Sequence, residues 1–423
     1  MCRNTILISL FAVILIVACG SSQKADNADS ELSGNMQVSQ VALDIRPIND
    51  YELPAPFATE HVRNHSQVVP RPEGAAISVP LGFTVQEYAS DFKRPRFMLL
   101  GPSNEVLISD SDDDGAVYVL QDINGDGVSD KRHLLVDGMY RPFGIAFWQD
   151  HVYIAGTVEV KRWKYDAATM TVSGEGETIV SWPEFKKGHW TRTVLFNPEG
   201  TRMIVTIGSG SNVNAGEDPR RAAINMYDPD GSNHEILAEG LRNVIGLDFY
   251  PGTDQLWAAI QERDALGDGL VPDYFTRIFR GDFFGWPYAY TGPHEDPRRE
   301  GERPDLVQKT RYPDIVLPAH CAVLDLEFYT GAMFPDKYHG GVFLAYHGSW
   351  NRSKRLGYSV NFIPFENGMP TGAPVEFLGG FMESPDSKIV WGRPVGVLQL
   401  QDGSLLVSDD GGDKVWRVSY PQQ

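Results

Sequence analysis

From about Leu81 to Tyr420 the apolar positions fall in short runs divided by turn signals, and none keeps the 3.6-residue rhythm of an amphipathic helix of useful length. Six segments share one register: a polar approach, three apolar or small positions, a turn and a second apolar strand. They are 94–99, 141–147, 190–196, 243–249, 322–328 and 393–398. The fourth residues, Phe97, Gly144, Thr193, Gly246, Asp325 and Gly396, recur at steps of 47, 49, 53, 79 and 71 residues. A period near 50, stretched twice by insertions, predicts an all-β, six-bladed β-propeller with four strands per blade. An array of β-sandwiches is the structural alternative. Residues Phe83 to Tyr88 are expected to pair with the last blade, closing the ring and removing its exposed edges.

In a propeller the innermost strands surround the axis, so polar residues just before each marker meet at one mouth of the channel. This register brings together Tyr140, His189 and Arg242, then Arg141, Trp190, Asn243 and Arg393. Cations, an imidazole and an amide around one mouth suit an anionic ligand. Taken singly, each could instead cap its strand or pair with an aspartate.

The N-terminus reads as an address. Arg3 precedes an apolar run from Ile6 to Ala18, short for a membrane span and suited to a signal peptide. The run ends in Val17-Ala18-Cys19 followed by Gly20-Ser21-Ser22, which resembles a bacterial lipobox. The expected organisation is a signal over 1–18, a tether over 19–50 beginning at a lipid-bearing Cys19, and the propeller over 51–423. Lipid attachment to a bacterial membrane, most simply the outer membrane facing the periplasm, follows from that reading. Ordinary secretion is the alternative. Once Cys2 is cleaved off and Cys19 lipidated, Cys321 stands alone, so no intramolecular disulfide is expected. The charge balance, 37 Lys and Arg against 56 Asp and Glu, disfavours nucleic acid as a partner.

Four longer passages carry a resemblance: Gly240-Leu241-Arg242-Asn243, Phe284-Gly285-Trp286-Pro287, His347-Gly348-Ser349-Trp350-Asn351-Arg352 and Gly392-Arg393-Pro394-Val395-Gly396. With them the chain resembles the soluble glucose and sorbosone dehydrogenases, six-bladed propellers that oxidise sugars with pyrroloquinoline quinone (PQQ), and it looks closest to the sorbosone or pyranose branch. The resemblance implies His189 as general base, Arg242 and Asn243 at the quinone carbonyls, and Arg393 on the cofactor carboxylates. Arg141 and Arg352 are weaker matches to a family glutamine and lysine. It further implies Ca²⁺ at the backbone carbonyls near Arg263 and Asp264, a sugar substrate, and a cytochrome or quinone as electron acceptor. A lactonase-type calcium propeller and a catalytically silent binding propeller are the alternatives.

A second calcium candidate rests on its own residues. Asp122, Asn124, Asp126, Val128 and Asp130 space oxygen ligands as the first nine positions of an EF-hand loop do, with Gly127 at the tight turn. His133 stands where that motif needs its bidentate acid, and a solvated Asp/Gly turn is the plain alternative. His320 and His347 fall near fifth-blade strand ends, where they could contact substrate.

Overall fold

The computed structural model describes residues 37–41, 43 and 52–421; the expected signal, Cys19 and most of the tether lie outside them. Six antiparallel sheets follow one another in sequence. Their inner strands are Pro95–Leu100, Ile145–Trp148, Val194–Phe196, Asn243–Phe249, Val323–Phe328 and Pro394–Gln399. This is the six-bladed propeller the repeat predicts. The ring closes as expected: Thr84–Ala89 pairs antiparallel with Lys414–Ser419 and becomes the outer strand of the sixth blade. Within the expected tether, Val38–Val41 pairs in parallel with Ile77–Pro80.

The stretched repeats hold the insertions. In the fourth blade the chain leaves after Pro272–Arg277 and lends Asp282–Phe283 to the edge of the third blade. It then makes a short hairpin and the helix Pro304–Lys309 before returning as Ile315–Ala319. In the fifth blade the insertion before the second strand supplies Phe334 and Tyr338 to the largest inter-blade cluster, against the sixth blade, and the outer strand Val375–Leu378 and the turn after it add Phe377 and Phe381.

Burial explains why the ring is stable without disulfides. One apolar cluster fills each of the six blade-to-blade interfaces. A seventh takes Ile245, Leu324 and Val395 from three inner strands and Phe143 from just before a fourth, and plugs the axis. Such burial contributes about 25 cal/mol per Å² of apolar surface. The markers also find their reason here. A Cβ on Gly144 would lie 2.6 Å from Val194 N, one on Gly246 3.1 Å from the Asp325 backbone, and one on Gly396 2.6 Å from Arg96 O. Glycine on every second inner strand lets its bulkier neighbour approach the axis.

Toward the far ends of the fourth and fifth inner strands stand Asp248, Asp325 and Glu327. Burial, reinforced by Asp248, pushes the Asp325 carboxyl up to about 7, although it accepts a hydrogen bond from Val397 N–H at 3.0 Å. Asp248 and Glu327 are raised in the same direction, again chiefly by burial. The folded chain therefore holds a proton that the unfolded chain gives up near pH 4, and stability falls as pH rises from about 4 to 7. Asp325→Asn keeps the acceptor and removes the charge. It is expected to raise the melting temperature at pH 8 and leave it nearly unchanged at pH 4.5. Equal shifts at both pH values would refute a buried ionisation.

Candidate functional site

The six inner strands begin at one face, and there they surround a cavity of ≈ 390 Å³. Its walls include Arg96, His189, Trp190, Asn243, Gln261, His347 and Arg393, drawn from five blades. Ile245 and Leu324 of the axial plug form its floor. The volume falls in the range of about 300–1,000 Å³ typical of small-molecule sites.

His189 follows Gly188 and is fixed through one ring nitrogen. Its Nδ1 lies 2.8 Å from Ser209 O, and a carbonyl only accepts, so Nδ1 carries the hydrogen and Nε2 keeps its lone pair. Burial and the nearby Arg242 guanidinium pull its pKa down to about 3, so the ring is neutral across the physiological range. Beside it, Asn243 donates to Gln261 Oε1 at 3.1 Å, and Gln261 in turn donates to Val323 O. A Cβ on Gly208 would come within 2.2 Å of Asn243 Oδ1 and 2.6 Å of His189 Cβ, so glycine there lets the two side chains sit side by side.

Opposite lies a group that the sequence register did not assemble. Arg96 forms a very short ion pair with Asp410, both almost wholly buried. His347 Nε2–H donates to Asp410 Oδ1 at 2.8 Å, and Arg393 Nη2 donates to His347 Nδ1 at 2.9 Å. Burial, then Arg393, brings His347 down to about 4, so it is neutral. Burial would raise the Asp410 carboxyl, but His347 and Arg96 hold it well below the usual carboxylate range. Two guanidiniums against one carboxylate leave this wall positive.

Several residues that line the cavity carry a buried polar atom with no hydrogen-bond partner among the described residues: Arg96 Nε, Thr191 Oγ1, Asn243 Oδ1 and Arg393 Nε. Leaving such groups unmade costs about 1–3 kcal/mol each. The guanidinium N–H groups, the Thr191 hydroxyl and a positive wall, around a slot above an apolar floor, fit a planar polyanion.

Not every expected residue arrives. Arg242 turns away from the cavity: it donates to Glu262 O, to Asn212 Oδ1 at 3.1 Å, and to Asp264 Oδ2 at 3.1 Å. From there its charge acts on His189. Arg141 pairs with Asp113 at 2.6 Å, lies 5.8 Å from the centre of the Trp190 ring and does not line the cavity. Arg352 donates to Asp268 O and lines a separate groove between the fourth and fifth blades.

The calcium expectations fail on geometry. Arg263 is fully buried in ion pairs with Glu262 and Asp296, and its carbonyl receives Val271 N–H at 3.4 Å. Asp264 O already accepts from Arg298 Nη1 at 2.9 Å and Asn212 Nδ2 at 3.1 Å. Its carboxylate meets Arg242 and His320, and Asp268 is turned onto Ser353. These residues do not fit a cation. The loop Asp122–Asp130 lies on the face away from the cavity and closes on itself. Asp122 accepts from Gly125 and Gly127 N–H, Asn124 from Asp126 N–H, Asp126 from Val128 N–H, and Asp130 from Ile123 and Asn124 N–H. Among the described residues no group of three or more His, Cys, Asp or Glu side chains converges on a metal position.

Known proteins are similar to this chain in sequence and fold. An uncharacterised protein of Borreliella burgdorferi is 28% identical over 360 residues, 82% of this chain and 91% of its own length. A pyrroloquinoline quinone-dependent pyranose dehydrogenase of Coprinopsis cinerea is 26% identical over 247 residues, 48% of this chain and 33% of that protein. The holo form of the PQQ domain of pyranose dehydrogenase from Coprinopsis cinerea superposes with a TM-score of 0.70 at 20% identity, covering 83% of this chain and 98% of the domain. The TrAA12-like family model matches residues 77–269 and 302–420, which is most of the chain, and the chain belongs to the TrAA12-like family.

Proposed function

We propose that this chain is a PQQ-dependent dehydrogenase that oxidises a pyranose-type sugar in the cavity at the mouth of the propeller. The observation that carries the reading is the meeting, in one cavity, of unsatisfied buried donors, two guanidiniums and a histidine with a free Nε2. Arg393 and Arg96 would grip the cofactor carboxylates, and Asn243 and Thr191 would offer polar atoms to its quinone edge. When bound, PQQ supplies the two-electron acceptor that no amino-acid side chain can provide.

His189 takes the proton from the sugar hydroxyl at Nε2 while Ser209 O holds Nδ1–H and fixes the ring. A base with so low a pKa is weak, but an anion seated beside it raises that pKa by favouring the imidazolium. Arg242 opposes this rise, and Asp264, which pairs with Arg242, limits the opposition. No step is derived through calcium. A cytochrome or quinone acceptor and lipid attachment through Cys19 complete the proposal.

The test is reconstitution. Purified protein in Ca²⁺-containing buffer is titrated with PQQ, followed by absorbance and thermal unfolding, then assayed for sugar-dependent reduction of an artificial dye. A saturable spectral change, a higher melting temperature and dye reduction are expected. Saturating PQQ that neither binds nor stabilises the protein would sink the reading.

A further inference from the structure

A segment that belongs to no blade runs along one side of the cavity. Residues 57–69 precede the part of the chain that matches the family model, yet they are stitched to three blades. At one end Phe57 N–H donates to Leu266 O and Asp268 N–H donates to Thr59 Oγ1, both beyond the second strand of the fourth blade. In the middle Asn64 N–H donates to Trp350 O at 2.7 Å, and its side-chain amide to Arg352 O and Ser353 O. Two side chains only 2% exposed answer from the fifth blade. Asn351 donates to Val62 O, and Arg355 donates to Asn64 O at 2.7 Å and Asn64 Oδ1 at 2.6 Å. At the far end Gln67–Val68 pairs in parallel with Ile389–Val390 near the sixth blade.

So many directed hydrogen bonds from buried groups hold the strap in one place. They present His65 and Ser66 to the cavity, where both form part of its wall. The His65 ring stacks on Trp350 with centroids 5.1 Å apart and planes 3° apart. Trp350 nevertheless stays 37% exposed, an uncommon state for so large an aromatic at a cavity wall. The stack holds the indole at the cavity wall, and Ser66 on the same wall carries a neutral hydroxyl.

We propose that this strap is the substrate-selecting wall of the site: the His65–Trp350 pair receives the C–H face of an uncharged pyranose ring while Ser66 hydrogen-bonds a ring hydroxyl. The proposal rests on the dehydrogenase reading for its substrate class. Flat aromatic surface rewards the apolar face of a sugar, and a neutral hydroxyl offers no counter-charge to an acidic one. The wall acts on binding and orientation, whereas the proton is handled at His189 across the cavity.

The experiment uses full-length protein loaded with PQQ, in the wild type and in His65→Ala, Ser66→Ala and Trp350→Phe. Each is assayed over neutral aldohexoses with glucuronate as the charged control, and tryptophan fluorescence is followed on sugar addition. PQQ affinity and melting temperature are measured alongside. Expected are KM values raised about tenfold or more in His65→Ala and Trp350→Phe, kcat and PQQ affinity within about twofold of wild type, and a sugar-dependent fluorescence change that disappears in Trp350→Phe. Unchanged KM values in all three variants would overturn the wall while leaving the dehydrogenase intact. Wild-type protein that binds PQQ but oxidises no sugar would overturn the dehydrogenase alone. In that event a fluorescence change with neutral sugar, lost in His65→Ala, upholds the wall, and its absence in the wild type overturns it.

Discussion

His189→Gln is expected to take up PQQ with near wild-type affinity and to turn over sugar about 10²–10⁴-fold more slowly, the usual contribution of a positioned general base. The reasoning is geometric. Ser209 O already accepts the Nδ1 hydrogen, so the only basic atom of the ring is Nε2, on a residue that lines the cavity. Glutamine retains polar atoms and much of the volume but cannot accept a proton at neutral pH. The pH profile supplies a second measurement. Burial and Arg242 bring the imidazole down to about 3, so it is neutral well below its ordinary titration range. The kcat/KM profile of the PQQ-loaded enzyme is therefore expected to keep its acid limb below about 6.5, because burial and Arg242 outweigh the rise that the cofactor's anion causes. A limb at 6.5 that vanishes in His189→Gln would show the base to be solvated and this picture of the cavity to be mistaken. Equal loss of turnover and PQQ binding would assign His189 a structural role.

Much of this architecture was written in the chain because close packing at the axis leaves little choice. Gly144, Gly246 and Gly396 had to be small where neighbouring inner strands meet, and that necessity made the repeat visible. The same register placed His189, Trp190, Asn243 and Arg393 at one mouth, and there they line one cavity. Arg96 was legible in principle. It occupies the position before its marker, as Arg192 does in the third repeat, where the other four repeats place Phe143, Ile245, Leu324 and Val395 as the axial plug, so a cation there is out of pattern. What escaped was the direction of long side chains. Arg242 has the right address but is captured by Asp264 and the Glu262 carbonyl, a choice made by a loop some twenty residues away. Arg352 likewise follows Asp268. The Asp122–Asp130 spacing misled for a different reason: alternate Asp and Asn residues that can surround a cation can equally satisfy their own loop amides. The strap was invisible because its register comes from Asn351 and Arg355, nearly three hundred residues away.

The two arginines of the positive wall are expected to fail differently when replaced. Arg393 keeps about a third of its side chain exposed and makes its one short side-chain contact with His347. Arg393→Ala should therefore fold normally and bind PQQ roughly 10–100-fold more weakly, the worth of about 1.5–3 kcal/mol for a hydrogen bond to a charged group. Arg96 is sealed in with Asp410. Its removal strips a buried carboxylate of its closest counter-charge, which costs about 3–5 kcal/mol of stability whatever ligand is present. Urea unfolding of the unliganded protein should thus separate the two, with Arg96→Ala shifted strongly and Arg393→Ala little. The double variant Arg96→Leu/Asp410→Leu removes both charges together, and replacing a buried pair by apolar side chains is often neutral. It should recover most of the stability without recovering PQQ affinity, because the donors remain absent. If Arg393→Ala binds PQQ as tightly as the wild type, the positive wall is not the cofactor's seat. If the double variant regains affinity along with stability, Arg96 serves the fold alone.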